Sequence, residues 1–92
     1  MQQDIYIVGL IVDERGSKAP EVQQIITRYG NSILCRNGIP SPSRERGIIT
    51  LTMEATPEEY GKMKSELNSI DGVTVESIHF SQQETFQVCK SN

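Results

Sequence analysis

The side chains able to do chemistry are few in this chain. There is one histidine, His79, and there are two cysteines, Cys35 and Cys89. A general base or a nucleophile needs a partner within hydrogen-bond reach. No Ser/His/Asp or Cys/His spacing is recognisable, and the polar neighbours of His79 along the chain are Glu76 and Ser77. A small oligomeric enzyme built on His79 with Ser77 or Glu76 is therefore one reading. The expected one is a strand-edge histidine with no catalytic role, in a protein that is not an enzyme. Metal chemistry within one chain is as thinly supplied. No CxxC or HxxxH pair exists, and Cys35, His79 and Cys89 are widely spaced. A metal sensor completed across chains by Cys35 or His79 is a second reading. Cys35, between Leu34 and Arg36, is expected to be a small buried thiol. No cofactor is assigned.

Anion binding has better candidates. Asp13-Glu14-Arg15-Gly16-Ser17 precedes a helix signal. Amides at a helix start carry partial positive charge, and Arg15 adds a bidentate donor. Asp13, Arg15, Gly16 and Ser17 are thus the candidate ligand-binding residues. The stretch from Asn37 to Arg46 is long for a hairpin connection. With Arg36 before it and Arg44 and Arg46 within it, it forms a second candidate anion contact.

The elements that must position these residues follow from patterning. Ile5 to Val12 is rich in β-branched residues and reads as a strand. Pro20 suits a first helical turn, Val22, Ile25, Ile26 and Tyr29 recur at helical spacing, and Gly30 stops the helix. Ser32 to Arg36 and Gly47 to Met53 are the second and third strands. Pro40 and Pro42 keep the segment from Asn37 to Ser43 out of any helix or central strand. Thr56-Pro57-Glu58-Glu59 opens a second helix with a cap, a proline at the first position and a capping box. Tyr60, Met63, Leu67 and Ile70 line one side of it, Asp71-Gly72 ends it, and Val73 to Phe80 is the fourth strand. The order β-α-β-β-α-β in one small unit is the α+β ferredoxin-like sandwich: a four-stranded antiparallel sheet with two helices on one face. Right-handed crossovers leave few alternatives, and in this topology the first and third strands are central.

Size and charge bound the function. Ninety-two residues fill one domain, taken as 1–80, with 81–92 as a polar tail whose main apolar residues are Phe86 and Val88. A hydrophobic share of 36% with 23% charged residues is that of a globular protein rather than a disordered one. The net charge of −3 argues against a surface built to bind polyanions. Recognition of RNA through the sheet needs stacking aromatics on the central strands, where Tyr6 stands alone. No nucleic-acid partner is expected. The longest apolar run, Ile5 to Val12, is far short of a membrane span, and no signal peptide is recognisable. A cytoplasmic location follows as the expectation.

The first strand is apolar on both sides: Ile5, Ile7 and Ile11 point one way, and Tyr6, Val8, Leu10 and Val12 the other. Two helices cover one side only. Each wet Val or Leu forgoes about 1.5–3 kcal/mol of burial, and contiguous apolar patches mark interfaces. The chain's own tail could cover the second side, but its apolar content is small; the expectation is a homo-oligomer, dimer or tetramer, with Tyr6, Val8, Leu10, Val12 and Ile48 at the interface.

Four segments together resemble a family. They are Tyr6-Ile7-Val8-Gly9-Leu10-Ile11-Val12-Asp13, Ala19-Pro20-Glu21-Val22-Gln23, Ile33-Leu34-Cys35-Arg36-Asn37-Gly38-Ile39-Pro40 and Ile70-Asp71-Gly72-Val73-Thr74-Val75. They resemble the iron-only hydrogenase system regulators, which are similar in fold to the ACT-type C-terminal domain of the nickel-responsive repressor. The resemblance implies an ACT-like regulatory or ligand-sensing module that assembles through its sheets and binds a small molecule or a partner protein. It places Asp13-Glu14-Arg15-Gly16 where ACT domains carry a ligand loop. The repressor holds nickel with strand histidines and a cysteine, whereas the second and third strands here contain no histidine. Nickel sensing by that constellation is not expected, nor is direct DNA binding.

Overall fold

The computed structural model describes residues 3–13, 19–40 and 46–81. Strand β1 runs Asp4–Asp13, helix α1 Ala19–Arg28, strand β2 Ile33–Pro40, strand β3 Arg46–Ala55, helix α2 Pro57–Asn68 and strand β4 Val73–Phe80. A single 3-10 turn at Gly30–Ser32 joins α1 to β2. The sheet order is β2-β3-β1-β4, antiparallel throughout. This is the expected ferredoxin-like sandwich, with β1 and β3 central.

The core lies between the sheet and the helices. Tyr6, Val8, Leu10 and Val12 from β1 and Ile49, Leu51, Met53 and Ala55 from β3 meet Val22, Ile25 and Ile26 of α1 and Tyr60, Met63 and Leu67 of α2. Thr56 caps α2, its side chain accepting a hydrogen bond from the Glu59 amide at 3.1 Å. The capping box is only half formed. The Glu59 carboxylate instead accepts the Ser32 hydroxyl at 2.6 Å, which ties α2 to the turn before β2. The helices are joined at Glu66, which accepts the Tyr29 hydroxyl at 2.9 Å and pairs with Arg28 at 2.9 Å.

Strand β2 extends to Pro40, four residues beyond the expected end. Its edge position explains this, because an edge strand has one side on which a proline interrupts no ladder bond. Gly72 turns the chain into β4 with a φ of +86°. Its carbonyl accepts from the Asp13 amide at 2.8 Å, tying that turn to the end of β1.

Candidate functional site

The interface residues expected from β1 require a correction. Tyr6, Val8, Leu10 and Val12 are all buried under the helices within one chain, so the open face belongs to Ile5, Ile7, Gly9 and Ile11. A strand apolar on both sides does not reveal which side the helices take. The cross-strand register does. Ile7 and Gly9 lie opposite Thr52 and Thr50, the polar side of β3, whereas Val8 and Leu10 lie opposite Leu51 and Ile49. Ile48, opposite Ile11, is on the open face as expected. Ile11, Ile78 and Phe80 are 42%, 59% and 48% exposed. Ile78 sits beside Ile7 and Phe80 beside Ile5, while Ile11 lies beside Ile48 beyond the Glu76–Gly9–Thr50 row of the same face.

Cys35 is also corrected: it is exposed rather than buried. A bulge at Leu34 is the cause. Ile33 pairs with Met53 on the helix side, and regular alternation would place Cys35 there too, but the bulge sets Cys35 opposite Thr52 on the open side. His79 lies opposite Tyr6, on the helix side of the other edge strand. With Cys35 and His79 on opposite edges and opposite faces, one chain cannot bring them to one ion. Among the described residues, no three His, Cys, Asp or Glu side chains are placed to hold a metal.

His79 has a partner that sequence reasoning missed. Its Nε2 lies 2.7 Å from Oδ2 of Asp4, a buried carboxylate 75 residues away. Antiparallel pairing of β1 with β4 brings the two strand ends together, and the adjacency of first and fourth strands in this topology was the available signal. The rings of Tyr60, Tyr6 and His79 stack in sequence, with centroids 4.1 Å and 4.6 Å apart. Tyr6 is held above its ordinary pKa, first by burial and then by the charge of Asp4 and by Tyr60. Ser77 does not reach His79 as a nucleophile would; it accepts the Tyr60 hydroxyl at 2.6 Å. Glu76 stands opposite Gly9, on the other face. The cluster orients an imidazole and locks α2 to β4. Among the described residues it assembles no acid–base pair with a nucleophile.

Of the candidate ligand residues, Asp13 ends β1, and Arg15, Gly16 and Ser17 lie outside the described residues, as does Arg44. Asp13 and Arg46 are cross-strand neighbours and line a depression of about 340 Å³ with Ile11, Gly72, Val73 and Thr74. Arg36 does not join them. It pairs in register with Leu51 on the helix side and donates a hydrogen bond to Gln23 of α1. Arg36 and Arg46 therefore do not form one anion site.

The model of the TM1266-like family, described as iron-only hydrogenase system regulators, matches residues 4–77. The chain belongs to this family. Within the family, the structure of the uncharacterized protein TM1266 from Thermotoga maritima superposes with a TM-score of 0.80 at 24% identity, covering 85% of this chain and 98% of that one. Two further structures share the fold. The C-terminal domain of the MgtC protein from Mycobacterium tuberculosis gives a TM-score of 0.66 at 16% identity, over 88% of this chain and 92% of that domain. An unknown protein from Galdieria sulphuraria gives 0.63 at 8% identity, over 88% of this chain and 47% of the other. No protein of curated function matches the chain. No helix among the described residues of this family member is long and apolar enough to cross a membrane.

Proposed function

We propose that the protein is a non-enzymatic, homo-oligomeric regulatory module, a dimer or tetramer, that senses a small ligand or a partner protein at its subunit interfaces. The observation that carries this reading is the open sheet face, where Ile11, Ile78 and Phe80 stand exposed beside Ile5, Ile7 and Ile48. Exposed apolar side chains gathered on one face are a mark of protein contact. The depression between Asp13 and Arg46 opens at one end of the same face. A ligand with an anionic group, held there by Arg46, would lie against the neighbouring copy. Such a ligand acts by binding two packing states with different affinity. The family's description as regulators supports the regulatory part of the reading.

Sedimentation velocity at micromolar concentration tests it. The wild-type chain is expected to sediment as a dimer or tetramer. Ile7→Lys, which sets a charge among the open-face isoleucines, is expected to sediment as a folded monomer. A stable wild-type monomer under these conditions refutes the reading.

A further inference from the structure

The open face is not flat. Across the sheet, Ile78, Ile7 and Thr52 form one row, Glu76, Gly9 and Thr50 the next, and Thr74, Ile11 and Ile48 the third. The middle row has no side chain at its central position. A depression of about 390 Å³ results, bordered by Ile7, Gly9, Thr50, Glu76 and Ile78. Two isoleucine ridges thus flank a trough over the middle of the sheet.

Among the described residues, nothing requires a glycine there. Gly9 pairs in register with Thr50 and Glu76, and its φ is not positive. A Cβ built on it meets only the Glu76 carbonyl oxygen, at 3.9 Å, which is an ordinary contact. A β-branched residue at this position would strengthen the strand, since a strand glycine packs nothing and loses the most entropy on folding. A strand glycine without a local cause marks a close approach from outside.

We infer that the Gly9 trough seats an isoleucine ridge of a second copy of this chain, packed face to face over the open sheet. This rests on the oligomeric reading above and specifies where the copies interlock. Sheets packed face to face lie about 10 Å apart and interdigitate their inner side chains. A ridge on one copy therefore needs a trough on the other, and this face supplies both. The area also suits a second copy. Strands β1 and β3 are ten residues each, or about 33 Å at about 3.3 Å per residue. Four strands at about 4.8 Å spacing span roughly 15–19 Å. The flat footprint is about 500–600 Å², and side-chain relief brings it near the roughly 800 Å² per partner of a standard interface. Glu76 lies on the edge strand, at the rim of the trough, where interfaces place their charges.

The test fills the trough. Gly9→Val is expected to leave the monomer at least as stable toward urea while weakening self-association by about tenfold or more. Gly9→Ala, one methyl smaller, is expected to weaken association less, in the same direction and at native stability, which keeps the test intact should valine disturb folding. If both variants associate as tightly as wild type while Ile7→Lys dissociates, the trough inference is overturned and assembly through the sheet stands. If wild type does not associate at all, both fall.

Discussion

Gly72 and Gly61 should respond to the same substitution with opposite signs. Gly72 has a φ of +86°, and a Cβ built there would lie 3.0 Å from Cβ of Asp13. Left-handed backbone costs a residue with a Cβ about 1–2 kcal/mol. Relieving the contact means moving the peptide whose carbonyl accepts from the Asp13 amide at 2.8 Å, a bond worth about 0.5–1.5 kcal/mol net. Alanine offsets about 0.4–1 kcal/mol of this by restricting the unfolded chain. Gly72→Ala is thus expected to destabilise by about 2 kcal/mol, lowering Tm by roughly 8–16 °C at about 4–8 °C per kcal/mol for a domain of this size. Gly61 lies in the interior of α2 with nothing within 4 Å of a built Cβ. Gly61→Ala is expected to stabilise by up to about 1 kcal/mol, the difference in helix propensity. Urea and thermal unfolding of the two variants beside wild type measure both. A Gly72→Ala protein as stable as wild type would sink the argument that the α2–β4 turn and the end of β1 form one tied corner.

Two further outcomes are expected. Tyr6 should ionise above the ordinary tyrosine value, and Asp4→Asn should lower its midpoint without restoring it, because burial is the larger cause and the Asp4 charge the next. A pH titration of the ring followed by NMR reads this, and identical midpoints in the two proteins refute the assignment. Because the folded pKa is raised, the phenol's contribution to stability is complete below pH about 10 and declines as pH rises past that value. Cys35, exposed on the open face, should react with a thiol reagent in the folded Cys89→Ser protein when dilute, and several-fold more slowly once the protein has assembled. Equal rates in the two states would mean that the neighbouring copy does not cover this part of the sheet.

The architecture was legible because each element carried agreeing local signals. Pro57 after Thr56, and the apolar spacing in α1, place the helices, and the alternation of Ile49, Leu51 and Met53 with Thr50 and Thr52 assigns the two sides of β3. What escaped was everything decided by register. The two sides of β1 are distinguished by their β3 partners, which neither strand encodes alone. A one-residue bulge at Leu34 sends Cys35 to the other face. The Asp4–His79 pair joins the two ends of the described chain, and local patterning holds no trace of such a pairing. Asp13 and Arg46 appeared as members of separate candidate sites, yet antiparallel pairing makes them neighbours.

The carboxylate of Glu66 receives both Tyr29 and Arg28 from the end of α1. Sliding one helix past the other therefore breaks a hydrogen bond and an ion pair together, and the two rods ride on the sheet as a single plate. Through Tyr60 and Ser77 that plate is latched to the β4 margin. A displacement of either helix is consequently resisted both by its neighbour and at the edge strand.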